Sequence, residues 1–294
     1  MSKFALAARN LESISNLIQG KSETVELLMV PREVCEVVEN GFEQVIPYYV
    51  IFGVNDTYSS AVALKYSRPS KGEGEERLQG KHSIGFGGHI ESADMGEHAV
   101  TVSPEGWDTY VLTAEELVTI VDGVALREIK EEIGVDLEGT QEFLTAVNSG
   151  MSINKCERPG DVNKVHVSFT RYIQVSLERL SEIKESAVAA ELEIENLSYL
   201  TISTGELIAT FDTTFETQKL VKEVEADFED WSVDAIVDLV KSVTHSVVSR
   251  LSYDDIYQAL VRKATAQLAE AVQAEQPVVE EQQVETATDE APKA

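Results

Sequence analysis

The sequence predicts an α/β protein on three observations. Apolar, β-rich runs at Val45 to Val54 and Ser60 to Tyr66 lie among stretches of helical period, and a long amphipathic helix follows a glycine-rich turn. From the N-terminus, Phe4, Ala7, Ala8, Leu11, Ile14 and Ile18 recur at helical spacing before Gly20, which predicts a helical segment over residues 1–28 packed on the main domain. Asn55-Asp56 separates the first two β-rich runs as a hairpin turn. Further strands are expected around Ile84, over Phe143 to Asn148 and over Lys164 to Val175. Leu177 to Ala187 contains neither Gly nor Pro and reads as a connecting helix or turn. Helices are also expected at Thr204 to Ala209, at Phe215 to Phe228 and at Val233 to Leu268, with a break near Ser252; residues 241–273 form a C-terminal helical extension. In Glu229-Asp230-Trp231-Ser232, Trp231 is a packing anchor and Ser232 a helix cap. Residues 274–294, rich in Glu and Gln and without an apolar face, are an acidic tail expected to be disordered.

The long helix carries the chemistry. Thr113 is its expected N-cap, with Glu116 completing a capping box, and Gly134 ends it. Val118, Val121, Ala125, Ile129 and Ile133 make one apolar side, while Glu128, Glu131 and Glu132 share an acidic one. Like charges at these spacings cost roughly 0.2–0.5 kcal/mol per pair, so the cluster is either a solvated acidic face or a seat for a cation. Arg127 reaches Glu131 at i+4. Upstream, Gly80 to Glu91 reads as a short strand entering the pair Gly87-Gly88, where backbone without Cβ atoms lets a ligand approach closely.

Together, Gly87-Gly88 and Arg127-Glu128-Ile129-Lys130-Glu131-Glu132-Ile133-Gly134-Val135 resemble the Nudix box, whose second half is matched at every fixed position. The first half departs from it. Gly88 stands far more than fourteen residues before Arg127, and Thr119 occupies the place of the first Glu, so an insertion at about 92–121 splits the box. Val100, Val102 and the run Trp107 to Leu112, around Ser103-Pro104-Glu105-Gly106, predict a hairpin within it, with Trp107 and Tyr110 over the site. Either Asp94 or Glu97 stands in for the missing Glu. The turn Gly87-Gly88-His89-Ile90 and the long insertion resemble a branch of bacterial and phage Nudix phosphoesterases, over residues 29–240.

The resemblance implies an α/β/α sandwich with a mixed sheet and metal-dependent hydrolysis of a diphosphate in a nucleoside diphosphate derivative. It implies Mg²⁺ or Mn²⁺ held by Glu128, Glu131 and Glu132 with the Gly87 carbonyl, catalysis resting on Glu131 and Glu132, and Arg127 orienting the carboxylates. Carboxylate oxygens suit these hard ions. Lys65, Arg68, Arg77, Lys81, His89 and His166 are candidates to touch substrate, and Glu185, Glu191 or Glu193 to act as general base. A non-catalytic nucleotide-sensing or protein-binding module is the alternative. The stripe Ile236, Val237, Leu239, Val240, Val243, Val247, Val248 and Leu251 faces the core or a second copy in a homodimer.

Composition frames these expectations. The 294 residues are 43% hydrophobic, enough for one substantial core, and the formal charge of −28 repels nucleic-acid backbones and anionic membranes. Two cysteines, Cys35 and Cys156, give neither a disulfide scaffold nor a zinc site, and no apolar run reads as a leader or a membrane span, so a cytoplasmic location is expected.

Overall fold

The computed structural model describes residues 3–55, 60–68, 79–155, 165–187, 195–203 and 227–248. In chain order the elements are β1 (Phe4–Ala8), α1 (Leu11–Ile18), β2 (Thr24–Pro31), α2 (Arg32–Cys35), β3 (Glu43–Val54), β4 (Ser60–Ser67), β5 (His82–Ser83), β6 (Gly85–Phe86), β7 (Val100–Val102), β8 (Asp108–Thr113), α3 (Ala114–Ile133), α4 (Gln141–Asn148), β9 (Ser152–Lys155), β10 (His166–Val175), α5 (Leu177–Ser186), β11 (Glu195–Ser203) and α6 (Asp230–Val248). The fold is α/β with a mixed sheet, as the sequence predicts.

The sheet is organised on β3. One edge of β3 pairs in parallel with β10 from Gln44↔His166 to Gly53↔Val175. Its other edge is shared by β1 at Glu43 and Gln44, β6 at Tyr49 and Val50, and β4 at Phe52 to Val54, all antiparallel. The alternation along β3 decides what each face buries. Val45, Tyr49 and Ile51 join a core completed by α1, α3, α4 and α5, while Tyr48, Val50 and Phe52 join a second completed by α6. The sheet therefore lies between two helical layers. The described part of the C-terminal stripe faces this core, since Ile236, Leu239, Val240 and Val243 are buried in it. The helix runs unbroken from Asp230 to Val248.

Three expectations are corrected. Phe4–Ala8 is a strand, not the first half of a helix: Leu6 and Ala8 enter one core and Ala5 and Ala7 another, so an apolar run buried on both faces imitates helical spacing. With β2 it belongs to the sheet, and only Leu11–Ile18 of the expected N-terminal helical segment is helix. Phe143 to Asn148 lies in helix α4, not a strand, because the Thr140 hydroxyl caps it by accepting from Phe143 N, and Phe143 and Ala146 are the residues it buries. Ser232 lies within α6 and caps nothing; its hydroxyl is 2.6 Å from the Tyr48 hydroxyl and accepts from Ile84 N. The helices expected between residues 204 and 226, the break near Ser252 and the tail fall outside the described residues.

Helix α3 follows its sequence signals. Thr113 and Glu116 form the capping box, and Gly134, at φ 70°, closes the other end with its N–H on the Lys130 carbonyl. A buried network ties α3 to the sheet. Arg171 of β10, 3% exposed, donates through Nε to Asp122 Oδ1 at 2.7 Å and through Nη2 to Oδ2 at 3.1 Å; the Tyr49 hydroxyl also bonds Asp122. Its remaining nitrogen donates to the Ala146, Val147 and Gly150 carbonyls, satisfying the end of α4. Gly123, next along α3, has open space within 4 Å of where a Cβ would stand. Gly123→Ala should therefore raise stability by about 0.5–1 kcal/mol, measured by urea unfolding.

Candidate active site

The separated halves of the box meet in space. After β6 the backbone turns at Gly87, φ 157°, where a Cβ would stand 2.0 Å from the Pro47 carbonyl oxygen. A Cβ on Gly88 would stand 2.6 Å from Glu128 Oε1. Gly87 is thus required for the close approach to backbone, and Gly88 brings backbone against the end of a flexible carboxylate side chain of α3.

Arg127 is the centre of the acidic cluster. Its Nη1 lies 3.0 Å from Glu128 Oε1 and 2.9 Å from Glu131 Oε2, and its Nε lies 3.2 Å from Asp94 Oδ1. Burial opposes the guanidinium charge, but Glu128, Asp94 and Glu131 outweigh it and hold the Arg127 pKa above its ordinary value. Asp94 is presented by the 3₁₀ turn Ser92–Met95, which it also closes by accepting from Glu91 N at 2.8 Å. Of the two candidates for the missing Glu, Asp94 is the one that joins the cluster. Thr119, in that Glu's place along the helix, is exposed and donates to the Glu115 carbonyl instead.

Glu128 and Glu131 converge on one cationic nitrogen, and their donor chemistry fits Mg²⁺. Glu132 differs from them: it is 2% exposed and turned inward. It is close enough to Tyr66 that, after burial itself, its carboxylate helps to raise that phenol's pKa against the opposing charge of Arg68. Among the described residues no three His, Cys, Asp or Glu side chains gather into a group that could hold a metal ion. Glu128, Glu131 and Asp94 share Arg127, and the three box glutamates do not form a preassembled cage.

The expected substrate-contacting residues are dispersed. The Arg68 guanidinium stacks on Tyr66 at 5.4 Å and donates to Glu229 at 2.7 Å, and Lys65 lies over the Phe228 ring at 5.8 Å; both serve packing contacts. Arg77, Glu191 and Glu193 lie outside the described residues, and Glu185 is exposed on α5 beside Ser181. His89 and His166, in contrast, come together with ring centroids 6.0 Å apart, and Trp231 of α6 covers His166 at 5.3 Å. Gln44, paired in register with His166, is fully buried, and among the described residues neither atom of its amide has a hydrogen-bond partner; His89 Nε2 likewise has none among them. Native interiors rarely leave such groups unmatched.

His89 also gives a pH dependence. Burial, followed by the nearby charges of Arg32 and Lys3, lowers its pKa to about 3. Between that value and about 6.5, the ordinary value for histidine, the unfolded chain binds the extra proton. The stabilisation is therefore complete above about 6.5 and is lost as pH falls toward 3. Unfolding midpoints across this window should decline for the wild type and decline less for His89→Leu.

The hairpin in the insertion is real, but its role differs from the expected one. β8 pairs with β2 and extends the main sheet. Tyr110 is buried in the larger core and Trp107 packs edge-on against Phe42 at 5.5 Å, so neither lies over the carboxylates. The residues of the insertion that reach the site belong to the turn before the hairpin. Sequence reasoning missed Gln44, whose only signal was a polar residue opening a strongly apolar strand.

No family model matches the chain, and no curated protein matches it. Among solved structures, it is similar to Tm1382, named as a candidate Nudix hydrolase, at 14% identity and a TM-score of 0.37 over 81% of this chain and 99% of that one. It is also similar to a MutT/nudix family protein from Enterococcus faecalis, at 16% identity and a TM-score of 0.29 over 54% of this chain and 44% of that one. The chain thus spans less than half the length of the second protein. Among the described residues no helix is long and apolar enough to cross a membrane.

Proposed function

We propose that the protein is a Nudix-type pyrophosphohydrolase that cleaves a diphosphate linkage in a nucleoside diphosphate derivative. The observation that carries this reading is the approach of Gly88 to Glu128, which brings the glycine turn and the glutamate helix together across the insertion. The carboxylates of Glu128 and Glu131 would hold Mg²⁺ or Mn²⁺, with Glu132 and the Gly87 carbonyl as further oxygen donors. When bound, the metal neutralises phosphate oxygens and lowers the pKa of a coordinated water. Asp94 and Arg127 keep Glu128 and Glu131 in register. A water oxygen forms the new bond to phosphorus while the bridging P–O bond breaks, and the bridging oxygen departs with the second phosphate. Glu131, at 43% exposure the box carboxylate most open to solvent, takes the proton that water loses. His89, His166 and Gln44 recognise the nucleoside beneath Trp231.

A non-catalytic nucleotide-binding module is the second reading, favoured by the Arg127 guanidinium already seated among the carboxylates. Incubation with ADP-ribose, UDP-glucose, diadenosine tetraphosphate and noncanonical nucleoside triphosphates, with Mg²⁺ or Mn²⁺, separates the two. Metal-dependent release of phosphate-containing products supports hydrolysis; binding without release supports the module.

A further inference from the structure

The strand that leads into the glycine turn is held by hydroxyl groups. Ile84 N–H donates to Ser232 Oγ at 3.2 Å and Gly85 N–H to the Tyr48 hydroxyl at 3.1 Å, so two consecutive amides end on side chains. The Tyr48 hydroxyl lies 2.6 Å from Ser232 Oγ, Ser232 donates to Ser83 Oγ at 3.2 Å, and Ser83 donates to the Gly85 carbonyl at 3.3 Å. One proton on each hydroxyl fits a closed path that leaves the Gly85 N–H, runs through Tyr48, Ser232 and Ser83, and returns to the Gly85 carbonyl. Tyr66, from the core on the other face of the sheet, donates to the same carbonyl at 3.0 Å. Ser83 and Ser232 are fully buried, and Tyr48 nearly so.

The path fastens α6 to the approach of the glycine turn. Ser232 stands in the first turn of α6, and the chain just before it is bonded to β5 in both directions: His82 N–H donates to the Asp227 carbonyl and Glu229 N–H to the His82 carbonyl. The Arg68–Glu229 ion pair tightens the same junction. An apolar side chain at position 232 would pack as its neighbour Val233 does; what the hydroxyls add is direction, since a hydrogen bond weakens steeply once it is bent. A Cβ on Gly85 would overlap the Tyr48 ring, and two residues on Gly87 rests on the carbonyl of Pro47, the residue before Tyr48. Gly88 then meets Glu128. We infer that Ser232 and Tyr48 are positioning residues: through Gly85 they set where the glycine turn meets the carboxylate helix, so α6 contributes to the site from the opposite side of the sheet. The inference rests on the hydrolase reading for the use made of the turn, while the link itself rests on the hydroxyl path.

The test compares Ser232→Ala and Tyr48→Phe, which remove one hydroxyl each, with Val240→Ala, a buried change on the same helix outside the path. In full-length protein labelled with ¹⁵N-glycine, both hydroxyl variants should move the amide resonances of Gly87 and Gly88, and Val240→Ala should leave them in place. With Mg²⁺ alone, the concentration giving half of the rise in melting temperature should increase about tenfold in the hydroxyl variants. For whichever compound of the screen is hydrolysed, kcat should fall about tenfold with KM within about twofold. The double variant should lose about the same tenfold, because both changes break one path. Unmoved Gly87 and Gly88 resonances overturn the inference, as do equal shifts in Val240→Ala or a loss of about a hundredfold in the double variant. Should Ser232→Ala fail to fold, Tyr48→Phe, which keeps the ring, decides by the same resonances. If the wild type neither responds to Mg²⁺ nor hydrolyses any compound, the hydrolase reading fails, and the resonances alone decide the link: moved supports it, unmoved removes it.

Discussion

Glu131→Gln should lower turnover by on the order of 10²-fold or more, a transition-state loss of at least about 2.7 kcal/mol, while scarcely changing the stability of the metal-free protein. The two effects separate because Glu131 is partly exposed and its i,i+4 pair with Arg127 contributes only about 0.3–0.5 kcal/mol to folding. Glu132→Gln should cost turnover similarly, and its buried position makes its folding response a separate measurement. Millimolar Mg²⁺ should raise the wild-type melting temperature and hardly move either Gln variant, because a ligand stabilises only the state that binds it. Arg127→Ala should lower both stability and activity, since Asp94, Glu128 and Glu131 then lose their common cation. Identical responses to Mg²⁺ in wild type and Gln variants would leave a solvated acidic face and favour the binding module.

The largest effect on folding is expected at the Asp122–Arg171 pair. Asp122→Ala leaves a guanidinium at 3% exposure without its carboxylate, and breaking a buried pair by removing one partner costs about 3–5 kcal/mol. The loss should be visible as a fall in urea midpoint, and Arg171→Ala should be at least as damaging because the Ala146, Val147 and Gly150 carbonyls lose their donor too. A double variant with Asp122 and Arg171 replaced by apolar residues should recover part of that stability, because neither charge is then stranded. If either single variant unfolds at the wild-type midpoint, the network does not anchor α3.

What was legible in the sequence was local. Thr113 with Glu116, the run from Arg127 to Val135, and the period of α3 all act over one or two turns, and all are realised. The strands β3, β4 and β10 were legible because their β-branched and aromatic content exceeds any helical pattern. Phe4–Ala8 was misread because a central strand, apolar on both faces, carries no alternation. The contacts of Asp94 with Arg127, of Gln44 with its surroundings and of Asp122 with Arg171 join distant positions, and nothing in a window of sequence distinguishes such a side chain from a surface one. The insertion misled for the same reason: its aromatic residues suggest a cover over the site, whereas β8 pairs with β2, Tyr110 enters the core and Trp107 packs on Phe42.

The parallel ladder between β3 and β10 also constrains how the chain comes to be folded. The partner of Gln44 arrives some hundred and twenty positions later, so the central strand cannot acquire its second neighbour until most of the described fold has been synthesised. Closing so long a loop before any ladder bond forms is entropically costly, which puts this topology among slow folders of high contact order. Until then the apolar edge of β3 remains open to pair with any other strand, including the same edge on another nascent chain. Chains ending before His166 should therefore aggregate even though they contain the whole of α3 and both halves of the box.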